Sequence, residues 1–531
     1  MTDHAFAAVH TPADSLVPRW PSPVAALSHF GRVRGHRPWL TSVTRSGRET
    51  ALTFAEADGA TRAVAARLTA ELGSRPTTFA FAPVNDIPSV LTVLGALRAG
   101  HRVLMLGPAD PPERTSQQIA AAGAVAVVHA PGTEPPHGAN ALQLPDWRKI
   151  LRDDRAVQWT DPRVDAAQDA LYFATSGSTA ASKLVAQSRL NATANAEAVR
   201  RHHRLTSSSR VLGCLPVHHV NGLHFSVLGT LMAGAQLVLA DSFSPLTYPG
   251  LVERYRPHLA SVVPSVLETV LEVWGRRRLP HGFRYFLSAA APLPSATARA
   301  VADRLGTRVV QGYGLSETTN FSTTLPPDLP GATYRELMLD AEIPSVGVAV
   351  PGNEVAVLDP NGHRLPPGEV GEVCMRGLNV MSRYLGNDQA TGEAFQGGWF
   401  HSQDLGYRLR KDNRDFFVLT GRVKNIAKVA GETVSLDEMD RALRALPQVR
   451  DAACVALPDR FAGERIVAAV VTNGDDGPEI AKALRLLFSE AVVPERFIAL
   501  DRIPRTPTGK VLRPELRSVL QHREEQTTRR A

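Results

Sequence analysis

A run of hydroxyl side chains around one glycine, Thr175-Ser176-Gly177-Ser178-Thr179, is followed four residues later by Lys183. Just before it, Leu171-Tyr-Phe-Ala174 is apolar enough to be a strand. Hydroxyls, backbone N–H groups and an ammonium all offer donors to the oxygens of a polyphosphate. By itself such a loop is equally an ordinary Ser/Thr turn. Four further polar clusters downstream fit the same chemistry.

The second cluster is Gln311-Gly-Tyr-Gly-Leu-Ser-Glu-Thr318, after a predicted strand. Gly312 and Gly314 would let a ligand approach the backbone. Tyr313 offers a flat face for a purine, Ser316 a donor for phosphate, and Glu317 an oxygen ligand for a hard cation such as Mg²⁺. The third is Gly397-Gly-Trp-Phe-His-Ser-Gln-Asp-Leu-Gly406, where Asp404 is placed to accept from ribose hydroxyls. The fourth, Leu419-Thr-Gly-Arg-Val-Lys-Asn-Ile426, carries Arg422 as a fixed donor fork and Lys424 at an expected domain joint. The fifth, Pro504-Arg-Thr-Pro-Thr-Gly-Lys-Val-Leu-Arg513, stiffens a loop around Lys510. An ammonium brought into a closed, dry site stabilises charge on a transferring phosphorus. Taken singly, each cluster is also a capped turn or a solvated surface residue. There is no G-x-x-x-x-G-K-[ST], no complete dinucleotide-fold glycine triplet and no G-x-S-x-G elbow.

The elements needed to hold these clusters are legible. Phe79–Ala82 reads as a strand, Ile87–Leu97 as a helix ended by Gly100, and Val103–Leu106 as the next strand. Strand–helix–strand with short joints predicts a right-handed parallel unit. More strands are expected at Val211–Leu215, Gln236–Leu239, Leu259–Val263, Tyr285–Leu287 and Arg308–Val310, with a helix over Ser295–Leu305 that uses a serine as N-cap. After about Ser345 the texture turns to β, with Glu354–Leu358, a turn at Asp359–Gly362, and Glu369–Arg376. Beyond Gly421–Lys424 lies an α+β segment. Ser435–Glu438 has capping-box spacing ahead of a helix to Leu446, strands follow at Ala452–Ala456 and Ile466–Val471, then a helix at Pro478–Glu490. The fold class expected is α/β: a large N-terminal body of α/β sheets plus a β subdomain, with a small mobile α+β C-terminal domain. The expected divisions are a loose arm over 1–25, a nucleotide-binding body over 26–423 and a lid over 424–531.

The chain has 531 residues, 44% hydrophobic and 21% charged, enough for two or more full cores. A net charge of +7 suits small anionic substrates, but the charges are interspersed and only 6% of residues are aromatic, so nucleic acid is not expected as a partner. Cys214, Cys374 and Cys454 are widely separated, which predicts neither a disulfide framework nor a zinc motif. The first twenty residues lack a basic start and an apolar run, and no uncharged apolar stretch is long enough to span a membrane. A cytoplasmic protein, monomer or homodimer, is expected.

Taken in order, the five clusters resemble the adenylate-forming acyl ligase superfamily: acyl-CoA synthetases, aryl-acid ligases, non-ribosomal adenylation domains and beetle luciferases. The resemblance covers residues 30–520. It implies a two-step reaction in which a carboxylate attacks the α-phosphate of Mg-ATP, and the acyl-AMP is then captured by a thiol of CoA or of a phosphopantetheinylated carrier protein. It implies that Thr175–Thr179, Lys183, Gly314 and Ser316 handle ATP, that Tyr313 packs on adenine, and that Asp404 and Arg422 hold ribose. Glu317 would bind Mg²⁺, Lys424 would be the hinge, and Lys510 and the Gly431 region would alternate at the site. An acyl phosphate is wasted by water, so a closing lid fits that chemistry.

Several residues depart from the superfamily pattern. Ala180 stands for a glycine, Ser182 for proline, Gln403 for glycine and Asn425 for aspartate. Pro216-Val-His-His-Val-Asn-Gly222 matches the segment beside the acyl pocket, with His219 where amino-acid-activating domains carry aspartate. His219, Asn221, Gly222, Ala289, Ala290 and Gly312 are the expected acyl-pocket residues, and His219 is also a candidate catalytic group. Ser288-Ala-Ala-Ala-Pro-Leu293 places methyls where the superfamily has glycines, which narrows the space beside the ligand. A small or medium organic or aryl acid is therefore expected, not an α-amino acid. The alternatives are an amine or other non-thiol acceptor, an inactive nucleotide-binding relative, and a nucleic-acid binder using the basic balance.

Overall fold

A computed structural model describes residues 16–129, 140–143, 149, 159–175, 183–472, 477–506 and 509–530. The chain divides into two compact units. One comprises 1–355, 375–400 and 414–416; the other comprises 356–374, 401–413 and 417–531.

The first unit holds two large sheets. In the nine-stranded sheet, Arg308–Gly314, Tyr285–Ser288, Leu259–Val262, Arg210–Gly213, Gln236–Ala240 and Pro38–Val43 run parallel in that order, with antiparallel strands at both edges. In the seven-stranded sheet, Asp169–Ala174, Arg102–Met105, Thr78–Phe81, Val127–His129 and Ala141–Gln143 are parallel. Leu184–Ser188 and Arg383–Tyr384 extend it antiparallel. The predicted unit at residues 78–106 forms as expected. Asp86 caps the helix Ile87–Ala99, and Gly100, left-handed at φ +87°, stops it. Parallel strands align their carboxyl ends on one edge, where open α/β sheets hold ligands.

Two details differ from expectation. Ser295 is not the N-cap of Ser295–Leu305: Pro294 occupies that position in extended geometry, so Ser295 is already the first helical residue and caps nothing. The helix predicted to reach Glu490 spans only Gly477–Leu484, because its end tightens into a turn in which Leu487 N–H donates to Leu484 C=O.

Asn353–Leu358, Gly371–Gly377, Trp399–Lys411 and Arg414–Arg422 form a β sheet mostly within the second unit. The C-terminal part is a two-faced sheet. Alternation along Val449–Asp459 and Gly463–Thr472 sends Ala452, Cys454, Ala456, Ile466 and Ala468 to one core with the helices Leu436–Arg444 and Gly477–Leu484. Ala453, Val455, Leu457, Val467 and Ala469 face the other core, closed by Leu516 and Leu520 of the helix Arg513–Arg530. Ser435 caps Leu436–Arg444 by accepting from the Glu438 N–H. All three cysteines are buried and free, and among the described residues no helix is long and apolar enough to cross a membrane.

Burial depresses several imidazoles: His101, His202 and His218 to about 4, His224 to about 3, each from an ordinary 6.5. These groups stay neutral in the fold but gain protons in the unfolded chain below pH 6.5, so stability falls as pH drops from there toward 4. Each contributes up to about 1.4 kcal/mol per pH unit. Thermal melts from pH 8 to 4 are expected to fall from just below pH 6.5, above the carboxylate range, with a shallower slope in His224→Gln. A flat profile down to pH 5 would contradict this.

Candidate active site

The predicted phosphate loop is closed at its base. Thr175 N–H donates to the Lys183 carbonyl at 2.9 Å, where Asp169–Ala174 and Leu184–Ser188 meet antiparallel. Ser176, Gly177, Ser178 and Thr179, with Ala180 and Ser182, lie outside the described residues. Lys183 Nζ stands 4.7 Å from the centre of the Tyr384 ring, in cation–π range. Tyr384 is there because Arg383–Tyr384 pairs with Leu184–Ser188, opposite Val185. Its hydroxyl donates to Glu317 Oε1 at 2.9 Å. Burial and the Glu317 charge push the phenol pKa up, so it remains a proton donor. One aromatic ring thus links the ammonium of the first cluster to the carboxylate of the second. The half-buried Glu317 carboxylate makes no other side-chain hydrogen bond among the described residues, and its oxygens suit Mg²⁺.

The turn that carries Ser316 and Glu317 is pinned from beneath. Gln187, fully buried, donates from Nε2 to the Ser316 carbonyl at 2.8 Å, and its Oε1 lies 2.8 Å from His224 Nε2. Neutral His224 donates that proton, which fixes which way the glutamine amide faces. The Met381 N–H donates to the Glu317 carbonyl at 2.7 Å.

The glycines of this cluster have a structural requirement of their own. The strand Arg308–Gly314 runs on past Val310 and pairs with Phe321–Thr324, which places the nearly buried Tyr313 opposite Thr323. A Cβ on Gly314 would lie 1.6 Å from the Asn320 carbonyl oxygen, and one on Gly312 would lie 2.7 Å from the Phe321 ring. The protein's own neighbouring residues fill the space a side chain would take, so glycine is required at both positions by the fold itself. Gly222 is alike: its Cβ would stand 2.2 Å from the Pro216 carbonyl oxygen.

The acyl-pocket candidates gather at the carboxyl ends of the nine-stranded sheet. Asn221 Oδ1 accepts from Ser261 Oγ at 3.0 Å, and Ser261 pairs with Leu287. Ala289, buried, and Ala290, exposed with φ +72°, follow the strand Tyr285–Ser288, whose last residue pairs with Gln311 beside Gly312. His219 is exposed. Crowding by neighbouring atoms partly desolvates its imidazole and lowers the pKa, and Asp110 opposes this. Its ring centre is 4.4 Å from that of His218.

In the second unit Asp404 is buried and its Oδ1 pairs with Arg422 Nε at 2.6 Å. Gln403, with φ +60°, donates its N–H to Glu372 Oε1 at 2.7 Å. Lys424 is exposed on the short turn Val423–Asn425. Asp437 is the junction of this region. It accepts from the Arg422 N–H at 3.0 Å, from Asn425 Nδ2 at 3.0 and 3.1 Å, and from Arg513. An aspartate at 425 would set two carboxylates together, so asparagine matches Asp437. Arg513 also reaches Asp440 Oδ2 at 2.8 Å. Lys510 lies in a loop framed by the Thr506 N–H donating to the Lys510 carbonyl, the Lys510 N–H donating to Thr506 Oγ1, and Arg505 paired to Asp451 at 2.7 Å. Gly431, φ +86°, and Ala430, φ +50°, form the tip of the hairpin Ile426–Val429 and Glu432–Ser435. Gln187, His224, Tyr384, Asp437 and Arg513 were not singled out as site residues from sequence, because their partners lie on other elements of the chain.

A family profile described as AMP-binding enzyme matches residues 29–385, and one described as AMP-binding enzyme C-terminal domain matches 438–510. The chain is 34% identical over 368 residues to a sulfoacetate–CoA ligase of Cupriavidus necator, covering 68% of this chain and 69% of that protein. It is 30% identical over 492 residues to a feruloyl-CoA synthase of Amycolatopsis, covering 90% and 96%. The fold is similar to that of ATP-bound MatB from Rhodopseudomonas palustris, with a TM-score of 0.78 at 25% identity over 93% of this chain and 98% of that one. Two profiles matched in sequence order, and relatives spanning most of the chain, lead to one assignment: this protein belongs to the AMP-binding enzyme family, as an AMP-forming acid–thiol ligase.

Proposed function

We propose that the protein activates a small or medium organic or aryl acid with Mg-ATP and passes the acyl group to the thiol of CoA or of a phosphopantetheinylated carrier. The observation that best supports this is the line Lys183–Tyr384–Glu317, a cation, a fixed proton donor and a carboxylate of the kind that suits Mg²⁺ in series, with Lys183 bonded through its carbonyl to Thr175. The acid's carboxylate oxygen attacks the α-phosphorus and pyrophosphate leaves; the thiol then attacks the acyl carbon and AMP leaves. Mg²⁺, held by Glu317, would neutralise phosphate charge. Thr175–Thr179, Lys183, Gly314 and Ser316 would bind the phosphates, Tyr313 the adenine, and Asp404 with Arg422 the ribose. The 424–531 domain would turn about Lys424, exchanging Lys510 for the Gly431 region between steps. His219, Asn221, Gly222, Ala289, Ala290 and Gly312 would shape the acyl pocket. The buried Ala289 methyl favours a short or flat acid, in line with relatives named for sulfoacetate and feruloyl-CoA.

Pyrophosphate exchange across an acid panel tests the reading. Short and aryl acids are expected to exceed palmitate, while preference for palmitate overturns the pocket assignment and no exchange with any acid favours an inactive relative. Lys510→Ala is expected to abolish adenylate formation while sparing thioester formation from supplied acyl-AMP; equal loss of both half-reactions would remove Lys510 from its role. Tyr384→Phe keeps the ring under Lys183 but loses the bond to Glu317. Activity at limiting Mg²⁺ should drop about tenfold, the value of a hydrogen bond to a charged group, with recovery at high Mg²⁺; an unchanged Mg²⁺ dependence refutes the link.

A further inference from the structure

We propose that Glu372, Cys374 and His401 form a binding site for a soft divalent transition-metal ion of the zinc class, separate from the Mg²⁺ carboxylate Glu317. Residues two apart on one strand share a face, so Glu372 and Cys374 project together from Gly371–Gly377, and His401 meets them from Trp399–Lys411. Their donor atoms, a carboxylate oxygen, a sulfur and an imidazole nitrogen, all lie within 4.8 Å of one another. Cys374 Sγ is 3.5 Å from His401 Nδ1, and Nδ1 is 2.7 Å from Glu372 Oε2.

Bonds of about 2.0–2.3 Å in a tetrahedral site require ligand atoms about 3.3–3.8 Å apart. The sulfur–nitrogen spacing already meets this. The nitrogen–oxygen pair must open by about half an ångström, which the ion does by replacing the proton between them. On binding, the imidazole proton moves to Nε2 and the thiol proton passes to solvent, leaving a thiolate–metal bond and one proton released. One sulfur and one nitrogen select zinc-like ions over Mg²⁺. The sulfur is buried, but the Glu372 and His401 side chains are 22% and 20% exposed, so an ion can enter and water can complete a fourth position. The site is not Asp404's: that carboxylate is held by Arg422, while Glu372 bonds His401 and the Gln403 N–H of the same strand.

The reduced, metal-free full chain is to be titrated with Co²⁺ without nucleotide. One equivalent is expected to bind with a near-ultraviolet sulfur-to-cobalt charge-transfer band that Zn²⁺ abolishes. Cys374→Ser is expected to lose the band and keep the native circular dichroism. Absence of the band in the native chain, or its survival in Cys374→Ser, overturns the proposal. Should Cys374→Ser not fold, Glu372→Gln/His401→Gln keeps every cysteine: a loss of Co²⁺ affinity of about tenfold or more supports the site, since even second-shell partners are worth that much, and unchanged affinity refutes it.

Discussion

The buried amide of Gln187 is the constraint on which the nucleotide side of this protein depends. It is fully enclosed, so both ends must be satisfied or the fold pays a desolvation cost of about 1–3 kcal/mol. His224 satisfies the oxygen and the Ser316 carbonyl accepts from the amide nitrogen. Because burial alone holds His224 neutral, the chain of donors has one direction. The turn bearing Ser316 and Glu317 is thereby tied to Leu184–Ser188, the strand that follows Lys183 and pairs with Tyr384. Position along that strand sets the spacing of three groups from separate parts of the sequence.

The C-terminal region has a counterpart in Asp437, which gathers the Arg422 backbone, the Asn425 amide and the Arg513 guanidinium. Asp440 beside it is wholly buried, and desolvation raises its pKa against the pull of Arg513. Removing either charge partner strands the other away from water, which is why such groups are costly to break singly.

Much of this architecture was legible in the sequence. Most of the expected strands of the parallel sheets fall within a residue or two of their predicted bounds, because short β-rich runs bounded by Gly and Pro leave little freedom, while Arg308–Gly314 runs four residues past its predicted end. Local capping was less legible: Pro294 displaced Ser295 from the capping position, and the helix after residue 477 ended early. The polar clusters stood out by composition, but the reasons for their residues did not. Gly314 is glycine because Asn320 crowds it, a contact made only when two strands pair. Tyr384 and Gln187 meet partners 67 and 129 residues away. Periodicity carries no such information.

The frame around Lys510 has a mechanical corollary. Arg505 is bolted to Asp451, the Thr506 N–H donates to the Lys510 carbonyl and the Lys510 N–H to Thr506 Oγ1, so the ammonium has little private freedom beyond its own side-chain torsions. Any long excursion of that charge must be made by the whole sheet it is mounted on. Solvent viscosity, which drags on large bodies and hardly on side chains, would then set the tempo of the step.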